Sequence, residues 1–456
     1  MKKKQAGDKV FREKWLWIDQ PDLAAEQQQL AEEGRDISSI RSRLNAMARK
    51  PSDELATVKM QQRAGALLDE TIALPMRRDC AFNEPSDLTG INRLRPRGPR
   101  RFKNTLSRKA LFDHVHGAWI GRCAGCLLGK PVEGTRTEKL WPFLKATGQW
   151  PLRNYIRFDL RAKKYKEFES FMTPWRRKMD KINHMPIDDD TNYTVTGLLI
   201  LERQGRNFTP ADVARFWICN LPLIATCTAE RVAYRNFAAG INPPESAAFR
   251  NPYREWIGAQ IRADAYGYAA LGNPQLAAEL AWRDACISHV KNGIYGAMWV
   301  AAMIAAAPFT ATIEDLIRTG LAQIPATSRL YKDITEVIAA YCSGMSYDDA
   351  CAQIHRKWNE HNGHDWCHTN SNAAIVALAL LYGEDDFTQA LGMSVQPCFD
   401  TDCNGATVGS VLGMRLGAKK IPAIWSDRLN DTLRTSLNGN HTVKISDMAR
   451  RTVALL

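Results

Sequence analysis

Residues 399–409 read FDTDCNGATVG, and this stretch decides the fold. The segment that follows it carries a glycine every four residues: Gly405, Gly409, Gly413 and Gly417. Residues four apart lie on one face of a helix, so such a helix shows bare backbone and allows a second helix to pack closely against it. Two carboxylates, Asp400 and Asp402, are then placed at the N-terminus of this helix.

A second acidic cluster stands about two hundred residues earlier, where residues 186–192 read PIDDDTN. It also leads into a helical pattern, in which Val195, Leu198, Leu199 and Leu201 are apolar. Two acidic clusters at two helix starts predict one shared site. Five carboxylates brought together repel each other unless cations lie among them. Clustered aspartate oxygens favour a hard ion, first Mg²⁺, then Mn²⁺ or Ca²⁺.

The alternative is that each acidic cluster only caps its helix. Asp and Thr are favoured at N-caps, and the helix dipole favours negative charge there. Capping does not require three consecutive aspartates, Asp188, Asp189 and Asp190. We therefore favour a metal site over capping alone.

Length and composition are those of a soluble globular protein with a sizeable core. The chain has 456 residues, of which 45% are hydrophobic and 24% charged. Its start, MKKK at residues 1–4, is charged and does not resemble a signal peptide. The longest uncharged stretch, residues 292–313, predicts a buried core helix and loop rather than a membrane span. Eleven cysteines, an odd number, favour a reducing cytoplasm over a disulfide framework.

Residues 1–105 are predicted to form a separate, basic helical extension of unknown role. Residues 24–47 and 51–74 are rich in helix formers, and Trp15 and Trp17 are expected to pack against the main body. Residues 1–110 hold 23 Lys and Arg against 15 Asp and Glu, a net +8 of the total +12. The densest basic run, residues 93–109, lacks interleaved aromatics. We therefore interpret it as a solvated linker, and nucleic-acid binding is not expected.

Residues 113–134 again carry glycines four apart, which favours a tightly packed helix. Cys123 and Cys126 form a CxxC pair, but no second pair with suitable spacing follows. They are therefore interpreted as small core residues rather than zinc ligands. Glu133 follows Pro131 by two residues. Its side chain either points into a cleft or lies on the surface.

Three motifs in this order resemble the ADP-ribosylglycohydrolase family. They are residues 117–134, the Asp188–Thr191 cluster, and residues 400–404 with the glycine-spaced helix and residues 418–425. The resemblance covers roughly residues 108–456, so we expect a catalytic domain over 106–456. It implies a compact all-α, multi-helix domain with two magnesium ions in a cleft. It also implies hydrolysis of the glycosidic bond at C1″ of ADP-ribose.

The resemblance also assigns metal ligands position by position. Asp189, Asp190, Asp400 and Asp402 match the ligating carboxylates. Asp188 stands where members usually have Thr or Ser, and Cys403 stands where members often have a Thr or Ser ligand. Because a neutral thiol is a poor Mg²⁺ ligand, a second ion at Cys403 would be weakly or differently held. Arg122 also replaces an aspartate that is common in the family.

The resemblance further implies residues that line the ligand cleft. Residues 251–260 resemble the segment whose backbone N–H groups hold phosphate and whose aromatic stacks on a base, which makes Asn251, Trp256 and Gly258 candidates. His289 matches a histidine of the cleft, although a structural role is equally open. Residues 361–370 carry His364 and His368 four apart. Gly363 and the polar composition favour a loop there rather than a zinc-binding helix.

The expected reaction is a metal-assisted attack of water at the anomeric carbon, with Glu133 or Asp188 handling the proton. The substrate would be an ADP-ribosylated protein or a small ribosyl compound, with an arginine, a serine or an amine leaving. One alternative keeps the fold and metals but acts on another ribosyl or glycosyl compound. Another alternative is a non-catalytic protein that binds ADP-ribose or serves as a scaffold. The presence of all four matching aspartates argues against it.

Overall fold

The structure of the chain, a computed structural model, describes residues 9–161 and 163–456, except the side chain of Lys164. The charged start at residues 1–4 lies outside the described residues. Before residue 105 the helices are α1 (Gln20–Glu32), α2 (Arg41–Ala48), α3 (Ser52–Leu55), α4 (Val58–Thr71) and α5 (Leu88–Leu94).

After residue 105 the helices are α6 (Arg108–Gly129), α7 (Thr137–Ala146), α8 (Pro174–Met179), α9 (Asp189–Gln204), α10 (Pro210–Asn220), α11 (Ala229–Ala238), α12 (Glu245–Ala248), α13 (Asp264–Ala269), α14 (Pro274–Ala285), α15 (Lys291–Ala306), α16 (Ile313–Leu321), α17 (Arg329–Cys342), α18 (Tyr347–Lys357), α19 (Gly363–Cys367), α20 (Thr369–Gly383), α21 (Phe387–Val395), α22 (Thr401–Leu416), α23 (Ala423–Ser426) and α24 (Ile445–Ala454). Short 3₁₀ helices cover Lys130–Val132, Lys163–Phe168, Gly205–Asn207, Leu223–Ala225, Ile257–Arg262, Ala418–Lys420 and Asp427–Leu429. Strands β1 (Thr432–Arg434) and β2 (Thr442–Lys444) pair antiparallel, with Leu433 opposite Val443. The all-α prediction is confirmed.

The centre of the fold is the antiparallel pair α6 and α22, whose glycine faces meet. The contacts pair Gly117 with Gly413, Gly121 with Gly409, Gly125 with Gly405, and Gly129 with Thr401. A Cβ atom on Gly121 or Gly125 would overlap the facing backbone carbonyl. The two backbones therefore touch directly, as the four-residue glycine spacing predicts. Because the helices are antiparallel, the C-terminal end of α6 lies beside the N-terminal end of α22.

Helix α15 fills the core behind this pair. Every residue from Asn292 to Ala306 is buried, and the helix is followed by a turn towards α16. The prediction of a buried core helix and loop is confirmed. Among the described residues, no helix is long and apolar enough to cross a bilayer.

The N-terminal helices enclose a small core of their own, built from Ile18, Leu23, Leu30, Ile37, Ile40, Leu44, Ala64, Leu67, Leu68 and Leu74. The helix-forming stretch 24–47 is interrupted, since α1 ends at Glu32 and α2 begins at Arg41. Gly34 in this gap has φ +79°, a left-handed conformation that glycine adopts without strain. Trp15 packs under the guanidinium of Arg231, 4.7 Å from its ring centre. Within the basic run, Arg93, Arg97 and Arg101 are exposed.

Helix α1 docks on residues 253–256 through buried charges. Arg254 donates to Glu26 at 2.6 Å and to Glu33 at 2.7 Å. Gln29 of the same helix donates to the fully buried Glu255 at 2.7 Å. Buried charges are tolerated only where they are paired, so this interface fixes the position of the segment that the resemblance places in the ligand cleft.

Replacing Arg254 by Met should destabilise the protein by about 3 kcal/mol, because the buried Glu26 loses its arginine and the buried Glu33 keeps Lys291 as its close partner. Arg250→Met is a matched control, since Arg250 pairs with Asp69 at a half-exposed position where an ion pair contributes about 1 kcal/mol or less. Urea unfolding of both variants measures the difference. Adding Glu26→Gln to Arg254→Met should recover part of the loss. Equal losses in the two arginine variants would show that α1 is not held by these charges.

Candidate metal centre and cleft

Carboxylates from three element ends converge on one cluster. Asp188 caps α9, Asp189 and Asp190 begin it, Asp400 precedes α22, and Asp402 lies in its first turn. Glu133 follows the 3₁₀ turn that ends α6. Ligand atoms of Cys126, Asp188, Asp190 and Asp402 lie within 4.8 Å of one another, and so do those of Asp400, Asp402 and Cys403. The structure therefore brings together the two acidic clusters of the sequence, in two groups that share Asp402.

Helix capping explains only part of this arrangement. Asp188 Oδ1 accepts the backbone N–H of Asp190 at 2.9 Å, which is an N-cap hydrogen bond. Asp400 stands at the N-cap position of α22 but makes no capping hydrogen bond with its side chain. The other carboxylates in the cluster have no capping role, so another reason is needed for their placement.

Basic and thiol groups already engage Asp188 and Asp190. Lys130 Nζ donates to Asp188 Oδ2 at 2.5 Å. Arg122, fully buried, donates to Asp190 Oδ1 at 2.7 Å and also lies 3.3 Å from Asp264. The thiol of Cys403 donates to Asp190 Oδ2 at 3.3 Å. Every oxygen of these two aspartates therefore accepts at least one donor from the protein.

The remaining carboxylates are far less occupied. Asp402 is buried, and its Oδ1 has no hydrogen-bond partner within residues 9–161 and 163–456. Asp400 accepts a weak hydrogen bond from the Cys367 thiol at 3.7 Å. Among the described residues, no donor reaches the side chains of Asp189 or Glu133. These four carboxylates therefore keep oxygens that accept no strong hydrogen bond from the described residues.

The electrostatics agree with a cluster in which negative charge exceeds the positive charge of Lys130 and Arg122. Burial, and next the charge of Asp402, raise the pKa of Asp400, while burial and then Asp188 raise the pKa of Asp402. The nearby charge of Asp402 raises the pKa of Glu133, an exposed residue, to about 9. Like charges disfavour ionisation unless a cation lies among them.

The residues present fit a hard divalent ion. An unpartnered buried carboxylate oxygen is costly in a folded protein, and Asp402 Oδ1 is such an atom. Oxygen-only ligands suit Mg²⁺ and Mn²⁺. Burial raises the pKa of the Cys126 and Cys403 thiols well above the usual range, so both are neutral and poor ligands for such an ion.

Two of the predicted substrate-binding residues, Asn251 and His289, are buried structural groups in this conformation. The Asn251 amide donates to the backbone carbonyls of Ala247 at 2.9 Å and Ser288 at 3.0 Å. His289 is fully buried and lies 2.8 Å from Ser288 Oγ through Nδ1, while its Nε2 has no partner. The structure therefore shows contacts of Asn251 and His289 within the protein fold.

Trp256 and Gly258 lie at the start of the 3₁₀ helix Ile257–Arg262, which ends at the buried Arg262. Trp256 is half-buried, and its indole N–H donates to His364 Nδ1 at 3.1 Å. Gly258 lies against the carboxylate of Glu230, so that a Cβ atom there would overlap it. Glu230 is held by Arg262 at 2.6 Å. A negative group therefore occupies the space beside the Gly258 backbone.

Comparison with known proteins decides the family. The sequence profile of the family described as ADP-ribosylglycohydrolase matches residues 107–455, more than three quarters of the chain. The chain belongs to the ADP-ribosylglycohydrolase family. No curated protein matches it. Among solved structures, a chain described as "ADP-ribosylglycohydrolase-related protein complex" is 19% identical. The match covers 76% of this chain and 98% of that one, with a TM-score of 0.45.

Sequence reasoning about this glycohydrolase missed several residues of the cluster. Lys130 lies within the quoted glycine motif but was given no role, although it is the first basic residue after the packed helix. Glu230 and Cys367 lie in stretches without a motif, and only the tertiary fold brings Cys367 to Asp400. A search for charged residues directly after the glycine helix would have found Lys130.

The segment around His364 and His368 corrects the predicted loop. Residues Gly363–Cys367 form helix α19, and α20 starts at Thr369. The Asn362 side chain accepts the His364 backbone N–H at 2.9 Å and so caps the short helix. Asn362 also donates to Gln28 of α1 at 2.8 Å. A side-chain cap and a tertiary contact thus stabilise a helix that the local composition disfavours.

The two histidines face Glu32 of the N-terminal extension. His364 Nε2 and His368 Nε2 lie 3.3 Å and 3.5 Å from its carboxylate. Trp256 donates to His364 Nδ1, and the Asn370 backbone N–H donates to His368 Nδ1 at 3.1 Å. Each Nδ1 therefore carries a lone pair, and each Nε2 carries the hydrogen of a neutral ring. A ring in this tautomer has no lone pair on Nε2 for zinc, so the arrangement favours a contact to α1 over a zinc site.

His368 makes stability depend on pH. Burial lowers its pKa to about 3, so the folded protein keeps the ring neutral while the unfolded chain takes up a proton below about pH 6.5. The unfolded state then binds more protons, and stability falls as the pH falls from about 6.5 towards 3. At pH 5 this loss amounts to about 2 kcal/mol.

His368→Asn should remove this part of the pH dependence, because asparagine retains the N-cap acceptor but cannot take up a proton. Urea unfolding at pH 8 and pH 5 measures it. Wild type should lose about 2 kcal/mol more than the variant between these values. An identical loss in both proteins would show that His368 is not the responsible group.

Proposed function

We propose that this protein is a metal-dependent glycohydrolase that cleaves the C1″ glycosidic bond of ADP-ribosylated substrates. The observation that carries the proposal is the buried Asp402, whose oxygen lacks a partner at the junction of two acidic clusters. This junction lies inside the region that matches the family. The proposal requires at least one divalent ion, Mg²⁺ first and Mn²⁺ second. The family resemblance implies two.

A bound divalent ion supplies Lewis acidity and lowers the pKa of water near it. Asp400, Asp402 and Asp189 would hold it, because their oxygens are the least engaged in the cluster. Since α22 places Asp400 and Asp402 at its N-terminal end, both are fixed to a rigid element, which favours precise orientation of a substrate.

Proton transfer is assigned to Glu133. Among the described residues its side chain accepts no hydrogen bond, and the charges of Asp402 and Asp188 raise its pKa, so it can hold a proton for the leaving group. Asp188 is less suited to that role, because Lys130 and the Asp190 N–H already engage both of its oxygens. We assign Asp188 the positioning of Lys130.

A second substrate class is favoured by the position of Glu230. The family resemblance places a phosphate near the Gly258 backbone, where this chain has the Glu230 carboxylate. Burial raises the pKa of Glu230 to about 7, and Arg262 binds it. A carboxylate beside the phosphate position would weaken binding of a diphosphate. The same centre would then act on a ribosyl or glycosyl compound without diphosphate.

The partner is proposed to be an ADP-ribosylated protein or a small ribosyl compound, and neither a nucleic acid nor a membrane. Cytoplasmic activity is proposed from the odd number of cysteines. Trp256 is proposed to stack on a base of the substrate, with residues 251–260 and His289 behind it.

The experiment measures release of free ADP-ribose from ADP-ribosyl-arginine and ADP-ribosyl-serine peptides, and of ribose from N-ribosyl compounds. Each is assayed with Mg²⁺ and with chelator. Metal-dependent release from one ADP-ribosyl peptide would support the first proposal and identify the linkage. Release only from compounds without diphosphate would support the second. No metal-dependent release from any of them would contradict both and favour a non-catalytic protein.

Asp402→Asn and Glu133→Gln test the assigned residues in the same assay. The matched control is Asp79→Asn, because Asp79 is exposed and distant from the cluster in the sequence. Both site variants should lose the metal-dependent release, and the control should retain it. Full activity of Glu133→Gln would remove Glu133 from the proton transfer but leave the metal proposal standing.

A further inference from the structure

The two groups of ligand atoms in the cluster differ in how many of their oxygens already accept hydrogen bonds from the protein. The first group, Cys126, Asp188, Asp190 and Asp402, already contains a positive charge. Lys130 Nζ lies 2.5 Å from Asp188 Oδ2, and its side chain is only 19% exposed. A desolvated ammonium is strongly attracted to the carboxylates around it and repels a divalent ion at the same place.

The other aspartate of the first group, Asp190, is neutralised as well. Arg122 binds Asp190 Oδ1 and is anchored by Asp264 and by the backbone carbonyl of Ile261 at 2.7 Å. Arginine stays charged at any working pH, so a positive charge always lies beside Asp190. The Cys403 thiol takes the second oxygen of Asp190. An ion entering the first group would have to displace several donors.

The second group is open. It consists of Asp400, Asp402 and Cys403, and Asp402 Oδ1 within it is buried without a partner. No lysine or arginine pairs with Asp400 or Asp402 among the described residues. The charge of Asp402 also acts on Asp189 and Glu133, two further carboxylates that accept no hydrogen bond among the described residues. This side of the cluster has the negative charge and the free oxygens that a divalent ion needs.

From this asymmetry we infer that the Lys130 ammonium takes the place of one divalent ion, so the chain binds a single ion, at Asp400 and Asp402. The inference rests on the proposed function, since it describes the same metal centre. It assigns Lys130 as a positioning residue that holds Asp188 and sets the metal content. The expected metal content differs from the two ions that the family resemblance implies.

The test counts bound Mn²⁺ per chain by equilibrium dialysis followed by elemental analysis. Wild type should bind one ion. Lys130→Met removes the charge but keeps the length of the side chain. It should bind two ions, because Asp188 and Asp402 can then hold a second ion while Arg122 and Cys403 stay on Asp190. Lys130→Arg is the matched control that keeps the charge, and it should bind one. Circular dichroism shows that each variant is folded.

Each outcome decides between the claims. Two ions on wild type, or one ion on folded Lys130→Met, would overturn the inference and leave the metal-dependent function standing. No ion on wild type would overturn the proposed function together with the inference. Lys130→Gln replaces Lys130→Met if the latter does not fold, and the wild-type count is decisive in either case.

Discussion

Asp402→Asn is expected to lower kcat/KM for metal-dependent hydrolysis about 1,000-fold. Asp402 belongs to both groups of ligand atoms, and its Oδ1 is a buried carboxylate oxygen without a partner among the described residues. Weakened binding of the divalent ion removes several kcal/mol of charge stabilisation in the transition state, and about 1.4 kcal/mol corresponds to a factor of ten. Steady-state kinetics with saturating Mg²⁺ measure the loss.

The same substitution should stabilise the metal-free protein. Burial and the neighbouring Asp188 raise the pKa of Asp402, which shows that its charge is unfavourable without a cation. Removing one of several like charges should therefore raise the Tm in chelator by a few °C. Added Mn²⁺ should raise the Tm of wild type and of Asp79→Asn, but not that of Asp402→Asn.

A drop in the Tm of Asp402→Asn in chelator would contradict this account, because it would make Asp402 a structural residue. The combination of lost activity and gained stability is specific for a charge kept for a ligand. A carboxylate that served only packing or capping would lose both together.

Gly125→Ala is expected to destabilise the protein by about 3 kcal/mol or more. Gly125 faces Gly405 across the central helix pair, and a Cβ atom would overlap the Gly405 backbone carbonyl. Backbone atoms on both sides leave no side chain that can move aside, so the two helices must separate along their length. Because α6 and α22 carry the acidic cluster at one end, the separation should also weaken metal binding.

Gly363→Ala is the matched control for this prediction. Gly363 also lies in a helix, α19, but nothing lies within 4 Å of the position of its Cβ atom. Alanine there should be neutral or stabilise the protein by up to about 1 kcal/mol, since it restricts the unfolded chain. Urea unfolding compares the two variants. A similar effect of both substitutions would show that the close approach of α6 and α22 contributes little.

The central helix pair could be predicted from the sequence because its signal is local. Glycines four residues apart in 117–129 and in 405–417 specify two bare helix faces, and bare faces pack against each other. The position of the acidic residues could also be predicted, because Asp400, Asp402 and Asp188 stand directly before or within the first turn of a predicted helix.

Lys130 and the N-terminal interface could not be predicted in the same way. The position directly after the glycine helix marks Lys130 as a candidate, but its pairing with Asp188 joins residues far apart in sequence and depends on the tertiary fold. The role of Arg254 could not be predicted either, because its partners Glu26 and Glu33 are more than two hundred residues away in the sequence. The sequence predicts a loop where the short helix α19 lies. The prediction fails because the helix is stabilised by the Asn362 cap and by a contact to α1, and the local composition shows neither.

The segment at residues 251–260 shows where family resemblance and structure separate. The resemblance gives Asn251 and Gly258 to the ligand, whereas the structure uses the Asn251 amide for backbone carbonyls and covers Gly258 with Glu230. The resemblance assigns this stretch to the ligand cleft, but the groups beside Gly258 in the structure include Glu230 and its partner Arg262, which lie outside the motif.

The most direct test of the metal centre is a crystal structure of the protein soaked in Mn²⁺, with the ion located by its anomalous scattering. The account predicts a peak bound by Asp400 and Asp402, with the Lys130 ammonium still on Asp188. A crystal without any Mn²⁺ at these aspartates, under conditions where the protein is folded, would contradict the claim that the acidic clusters form a metal centre.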